Sequence, residues 1–462
     1  VRRGAAIAAA KTAALISRRF RLGGGTALPG LVAERIDPTI VPALARGLGH
    51  GSVLVTGTNG KTTTARLFRN IVEAVGWRCV ANHAGSNMMR GIAAALVESA
   101  GLDGRFGGAS RCIGVFEIDE ATLPAAVNAL KPRAVLFTNL FRDQLDRYGE
   151  VEYVAGVWNR AVALFPEEVT VVLNADDPSL AALADVAKGR VVFYGMKDRS
   201  AAIDGLEHAA DARWCTSCGG ELSYAAVFYG HLGHWRCPKC GRAWPPPEAG
   251  CARLEAGKDY LGLSIGLPDG EASVHLPLVG LYNAYNALAA AALAFALGIG
   301  RGAIEEGLNR FTAAFGRQEK MKIGGRDVQV ILAKNPAGLN QVLRAITADT
   351  AELSIVLFLN DNIADGRDVS WIWDVDFEVL APKARSLTAS GLRAWDMALR
   401  LKYAGLEKVT RVEPEPAAAL REALKDVPAG QTLYVIPTYT AMLEVRDLLA
   451  GWAGRGSFWE EG

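Results

Sequence analysis

The chain has 462 residues, half of them hydrophobic, with 50 basic against 49 acidic side chains. That length exceeds what one core holds and predicts two or three domains. The balanced charge excludes the global basic field of a nucleic-acid binder, and no apolar run reaches the roughly 18 to 20 residues of a membrane span.

The chain opens on Val1-Arg2-Arg3, an alanine-rich stretch and then Arg18-Arg19-Phe20-Arg21. This superficially resembles a signal or transit segment, but Lys11 interrupts the apolar part and no cleavage site follows. We read it as an amphipathic helix packed on the first domain. The sharper alternative is a basic surface helix in peripheral contact with anionic lipid.

The next segment, Val53-Leu54-Val55-Thr56-Gly57-Thr58-Asn59-Gly60-Lys61-Thr62-Thr63-Thr64, is an apolar run, two glycines, a lysine and a row of threonines. Glycines let the backbone curl so that N–H groups converge on a phosphate. Lys61 adds positive charge, and the Thr62 hydroxyl suits Mg²⁺. The loop is shorter than a standard P-loop, because Val55 stands where that pattern has its first glycine. A plain strand-to-helix turn would not need this composition.

Strand-like runs at 52–56, 113–118, 134–138, 169–173 and 190–194 alternate with helical patterns at 61–75, 88–99, 153–165 and 285–297. This predicts an α/β fold with a parallel sheet covered on both faces. Ligands gather at the C-terminal ends of such strands, where the phosphate loop, Glu117, Asn139 and Asn174 all fall. A second alternating section starts near Met321, with strand-like runs at 328–333, 353–359, 408–412 and 432–436. The expected organisation is an N-terminal helical segment (1–48), a nucleotide-binding central domain (49–320) and a smaller α/β domain (321–462).

The pattern breaks at 211–247. Here Cys215-x2-Cys218 and Cys237-x2-Cys240 stand eighteen residues apart, each pair followed by glycine. Two such turns complete a four-thiolate tetrahedron, which predicts a structural Zn²⁺ in a ribbon too small for its own core. His231 and His234 are expected to pack rather than ligate, and Cys79, Cys112 and Cys251 to be buried thiols. Paired cysteines of this kind favour a reducing, cytoplasmic compartment.

The Gly57-Thr58-Asn59-Gly60-Lys61-Thr62 loop resembles that of the Mur ligases and folylpolyglutamate synthases. Thr138-Asn139-Leu140-Phe141-Arg142-Asp143-Gln144-Leu145-Asp146, Asn174-Ala175-Asp176-Asp177-Pro178, Tyr282-Asn283-Ala284-Tyr285-Asn286-Ala287 and Phe315-Gly316-Arg317-Gln318-Glu319 resemble further elements of that superfamily, in the same order. The resemblance implies a Mur ligase-like central domain, a Rossmann-like C-terminal domain, and activation of a carboxylate by ATP as an acyl phosphate that an amine then attacks. It implies ATP contacts at Gly57, Thr58, Asn59, Gly60, Lys61, Thr62, Thr63, Asn139, Asn283, Asn286, Arg317 and Asn335. Glu117 is the leading carboxylate for Mg²⁺, beside Thr62. Glu120 is held in reserve, with a helix-start charge as its plain reading. Two positions depart from the superfamily: Gln144 replaces a metal-binding histidine, and 153–165 lacks the lysine that is usually modified. A second metal site is therefore in doubt.

These departures, the four-cysteine insert, Lys334-Asn335-Pro336-Ala337-Gly338, the stretch 360–374 and Tyr439-Thr440-Ala441-Met442-Leu443 together resemble the MurT family, the ligase-like subunits of lipid II isoglutaminyl synthases. The early phosphate loop leads us to expect no N-terminal UDP-binding domain. The resemblance implies a GatD-like glutaminase partner, lipid II or a related peptidoglycan precursor as substrate, and action at the inner face of the plasma membrane. It also implies that Asp368 completes the partner's Cys–His site; the plainer reading is that Asp361, Asp365 and Asp368 cap a loop. Trp371 and Trp373 belong at a partner interface or in the domain core. A stand-alone amide ligase and a non-catalytic nucleotide-binding scaffold are the competing readings.

Overall fold

The computed structural model describes residues 2–19, 27–83, 85–143, 151–208, 210–257, 260–312, 319–349, 352–428 and 430–454. Gln144 and Arg317 lie outside the described residues.

Two sheets organise the chain. The first holds β1 (Ser52–Thr56), β2 (Arg78–Ala81), β3 (Cys112–Glu117), β4 (Ala134–Phe137), β5 (Thr170–Asn174) and β6 (Val191–Met196), with all neighbouring pairs parallel. β1 and β3 are buried at every position, so they read as unbroken apolar runs and lie inside the sheet, covered on both faces. A hairpin, β7 (Ser223–Tyr229) with β8 (Leu232–Arg236), interrupts the order inside the four-cysteine insert. The sheet then resumes with β9 (Ala249–Ala256), parallel to β6, followed by the antiparallel β10 (Leu261–Leu267) and β11 (Gly270–Leu276). The spatial order is β11-β10-β9-β6-β5-β4-β1-β3-β2. β10 and β11 alternate buried with more exposed residues, as half-covered antiparallel strands do.

Helix Lys61–Ala74 and the alanine-rich helix Leu281–Ala296 cover one face. Residues 283–294 of the latter are all buried, and its small side chains let it lie close against the sheet and the first helix. On the other face, helices Leu28–Ile36, Ile40–Ala45, Met89–Ser99, Leu123–Leu130 and Val151–Val162 pack into a second core. The N-terminal helix Arg2–Arg19 belongs to that core through Ala6, Ile7 and Ala10, which agrees with the packed reading, while Leu15 and Ile16 are exposed.

The second sheet contains β12 (Glu319–Ile323), β13 (Arg326–Val330), β14 (Leu353–Phe358), β15 (Ala384–Ser390), β16 (Thr410–Val412) and β17 (Thr432–Pro437), in the order β12-β13-β17-β14-β15-β16. Only the β12–β13 pair is antiparallel. Among the described residues, no helix is long and apolar enough to cross a membrane.

Candidate active site at the phosphate loop

The loop between β1 and helix Lys61–Ala74 is shaped by two glycines in the left-handed region, Gly57 (φ 135°) and Gly60 (φ 84°). A Cβ at Gly57 would stand 2.0 Å from Thr138 Oγ1, and one at Gly60 would stand 2.1 Å from Asn286 Oδ1. Both positions therefore require glycine twice over, by backbone conformation and by close approach.

The end of β4 braces the loop. Asn139 accepts from Asn59 N (2.9 Å) through its side chain and from Thr58 N (2.9 Å) through its carbonyl, while Thr138 donates to the Asn59 carbonyl (2.7 Å). Thr58 and Phe141 exchange two further bonds of 3.0 and 2.9 Å. From the helix Leu281–Ala296, Asn286 accepts from the Thr64 hydroxyl (3.2 Å) and donates to Asn283 (3.1 Å). From the C-terminal half, Asn335 exchanges side-chain bonds of 3.3 and 2.9 Å with Asn59. The predicted positions Gly57, Thr58, Asn59, Gly60, Lys61, Thr62, Asn139, Asn283, Asn286 and Asn335 thus form one connected cluster. Thr63 is half-buried in the same first turn.

Lys61 is buried, and its ammonium donates to the carbonyls of Gly57 and Thr58 and to Glu120 Oε1 at 2.8 Å. Burial works against the charge, but Glu120 and then Glu117 outweigh it and hold the Lys61 pKa above its ordinary value. Glu120 is therefore more than a helix-start charge. Thr62 donates to Glu117 Oε2 at 2.6 Å, so a hydroxyl and a carboxylate already converge at the end of β3. These are hard oxygen donors, and with phosphate oxygens they suit Mg²⁺.

Sequence reasoning missed three contributors. Asn82 clamps the end of β3, accepting from Glu117 N (3.0 Å) and donating to Glu117 O (2.8 Å). Lys334 forms an ion pair with Asp143 across the two sheets. Arg142 bridges Asp211 (2.6 Å) and Asp374 (2.7 Å). Arg142, Asp143 and Lys334 lie inside quoted motifs, but their pairing exists only in the folded chain.

Asp368, in the segment after β14, accepts from Ser370 N at 2.8 Å. Its neighbours are already engaged. Asp361 pairs with Arg393 (3.0 Å), Asp374 with Arg142, and buried Asp365 accepts twice from Thr440. Among the described residues Asp368 makes no ion pair. Trp371 packs partly against the core of the second sheet, whereas exposed Trp373 lies 5.5 Å from the ring of Tyr403. On helix Ala394–Tyr403, Trp395, Leu399 and Tyr403 form an exposed apolar stripe at four-residue spacing.

In the insert, the sulfurs of Cys215, Cys218, Cys237 and Cys240 lie within 4.8 Å of one another. The Cys215–Cys240 and Cys218–Cys237 separations are 3.7 and 3.5 Å. A regular tetrahedron with Zn–S bonds of about 2.3 Å spaces its sulfurs by about 3.8 Å, so the donor set fits zinc with no open position. Neither His231 nor His234 belongs to this cluster. His231 is fully buried, 4.6 Å from the Phe141 ring, and His234 bonds to Met196 O (2.6 Å). The remaining cysteines call for one correction, because Cys79 is only partly exposed rather than fully buried like Cys112 and Cys251. Burial pushes the Cys79 and Cys251 thiols up to about 12. The purified protein should carry one zinc per chain by elemental analysis, and Cys240→Ser should lose it with a lower melting temperature. Full metal retention and unchanged melting in that variant would refute the four-thiolate site.

Two family models match the chain: the Mur ligase middle domain over residues 55–228 and the MurT ligase C-terminal domain over residues 332–442. The subunit MurT of the glutamine-hydrolyzing lipid II isoglutaminyl synthase of Streptococcus pneumoniae is 34% identical over 93% of this chain and 93% of its own length. The corresponding Staphylococcus aureus subunit is 33% identical, over 92% and 93%. Among solved structures, a pseudomurein peptide ligase type C from Methanothermus fervidus superposes with a TM-score of 0.68 at 25% identity, covering 87% of this chain and 78% of that one. A folylpolyglutamate synthase from Mycobacterium tuberculosis shares the fold, with a TM-score of 0.61 at 16% identity over 91% and 96%. The chain belongs to the MurT family of Mur ligase-type ligases.

Proposed function

We propose that the protein amidates the α-carboxylate of D-glutamate in the stem peptide of lipid II, giving D-isoglutamine, with ATP as activator and ammonia from a GatD-like glutaminase subunit. The observation that carries this reading is the presence, in one chain, of a phosphate loop and of a carboxylate, Asp368, that makes no ion pair among the described residues. The first half activates a carboxylate, and the second is suited to serve a site on another protein.

In this reading the loop N–H groups and Lys61 hold the triphosphate, with Asn139 and Asn335 fixing the loop. Mg²⁺ held near Thr62 and Glu117 would screen the charge between the γ-phosphate and the incoming carboxylate. A carboxylate oxygen attacks the γ-phosphorus and ADP leaves, which gives an acyl phosphate. The ammonia lone pair then attacks the carbonyl carbon, and phosphate departs with the electrons of the C–O bond, while nitrogen gives up one proton, which leaves with the phosphate as hydrogen phosphate. Oxide could not leave in this way, so ATP is required.

In this reading ammonia comes from the partner: burial raises the thiol pKa values of Cys79, Cys112 and Cys251, and the other four cysteines are gathered in the metal cluster. The stripe of Trp395, Leu399 and Tyr403 beside Trp373 supports a partner-facing surface on the second sheet's domain, which we set at 321–462, after a central domain at 49–320. In this reading the protein works on a lipid-linked precursor in the cytoplasm, at the inner membrane face. The test is reconstitution with the glutaminase subunit, lipid II, ATP and either glutamine or ammonium. Mass spectrometry should show amidated stem peptide with both donors, and absence of product with ammonium would reject the proposal.

A further inference from the structure

The zinc ribbon is wired into the loop-bearing domain by more than packing. Asp176, fully buried just after β5, accepts from three elements at once. Trp244 Nε1, at the end of the ribbon, donates to Oδ1 at 2.6 Å. Tyr285 OH, on helix Leu281–Ala296, donates to Oδ2 at 2.5 Å, and Met196 N on β6 donates to the same oxygen at 2.9 Å. A Cβ at Gly195 would stand 2.5 Å from Oδ1, so the backbone leaves room for this carboxylate. Burial pushes the Asp176 pKa up to about 7, against the bonds from Tyr285, Met196 and Trp244 that favour the carboxylate, and with those donors in place the group fixes their directions.

Each end of this junction leads somewhere specific. Trp244 is set by the second cysteine turn: its N–H bonds Trp235 O (2.9 Å), while Cys237 N bonds Arg242 O (2.7 Å) and Gly241 N bonds Cys237 O (2.9 Å). Metal closure of Cys237 and Cys240 holds that turn. Tyr285 is the chain neighbour of Asn286, whose Oδ1 takes the Thr64 hydroxyl at 3.2 Å and sits in the space a Gly60 Cβ would need. A small rotation of the helix moves both residues together.

We propose that the zinc ribbon positions the nucleotide pocket: through Trp244 and Asp176 it fixes Tyr285, and so the helix on which Asn286 braces the phosphate loop. Trp244 and Tyr285 are positioning residues, and zinc occupancy is coupled to nucleotide affinity across the domain. This rests on the nucleotide reading of the phosphate loop.

The test is calorimetric titration of the zinc-loaded protein with MgATP. Trp244→Phe and Tyr285→Phe should each weaken binding about three- to tenfold, the loss expected from one hydrogen bond, with one zinc per chain retained. The double variant should be no weaker than either single one, because both cut the same chain of contacts. Withdrawing zinc with a chelator should weaken the wild type at least as much and Trp244→Phe less. Wild-type affinity in both single variants, or effects that multiply in the double variant, would overturn the coupling while leaving the nucleotide site intact. Failure of the wild type itself to bind MgATP would overturn the nucleotide reading and this inference together.

Discussion

Replacing Lys61 with alanine should abolish amidation with both glutamine and ammonium, lowering turnover by at least about two to three orders of magnitude. The side chain is buried at the mouth of the loop and is the cation among the described residues that contacts the loop carbonyls directly. Phosphoryl transfer concentrates negative charge between ATP and the attacking carboxylate, so losing this ammonium removes stabilisation from the first chemical step, whatever the nitrogen source. The substitution also strands Glu120, and breaking a buried pair costs about 3–5 kcal/mol of stability. Lost activity could then reflect partial unfolding. A Lys61→Met, Glu120→Gln double variant removes both charges, and should regain melting temperature while remaining inactive. Product formation with ammonium within a few-fold of wild type in either variant would show that Lys61 is not part of the activating site.

The second large effect separates the two nitrogen donors. Asp368→Asn should leave ammonium-driven amidation unchanged and reduce glutamine-driven amidation roughly 10³- to 10⁴-fold, the scale seen when a triad loses the carboxylate that orients its histidine. Asparagine retains a side-chain oxygen for Ser370 N, so the local turn survives and the substitution removes charge alone. The neighbouring carboxylates make poor alternatives, because Asp361 and Asp374 are held by Arg393 and Arg142, and Asp365 by Thr440. Assaying the reconstituted complex with each donor decides the matter: an equal loss with both places Asp368 in folding or in the synthetase step instead.

Local chemistry was legible in the sequence, and pairings across the fold were not. Strand β1, the glycine loop and helix Lys61–Ala74 announce themselves within about twenty residues, because backbone curl, charge and helix start are all local demands. The paired cysteine turns did so for the same reason. β9, β10 and β11 escaped notice, since they extend the parallel sheet by an antiparallel edge placed after an insert. β15 is Ala-Arg-Ser-Leu-Thr-Ala-Ser, with too few apolar residues to stand out, yet it runs beside β14. Glu120 could be read as a reserve carboxylate for Mg²⁺ or as a helix-start charge, but its pairing with Lys61, 59 positions away, exists only in the folded chain. Asn82 carries no sequence signal at all; its role comes from the parallel register of β2 against β3.

The Lys61–Glu120 pair makes the resting loop self-neutralised. If the loop takes a triphosphate as proposed, the ammonium would have to share itself between the phosphates and its own carboxylate, with Glu120 and Glu117 close to a tetra-anionic ligand. Those carboxylates would disfavour the uncomplexed nucleotide, whereas its magnesium complex would bring the charge that answers them. In that reading the pair makes the loop selective for nucleotide and cation arriving as a unit.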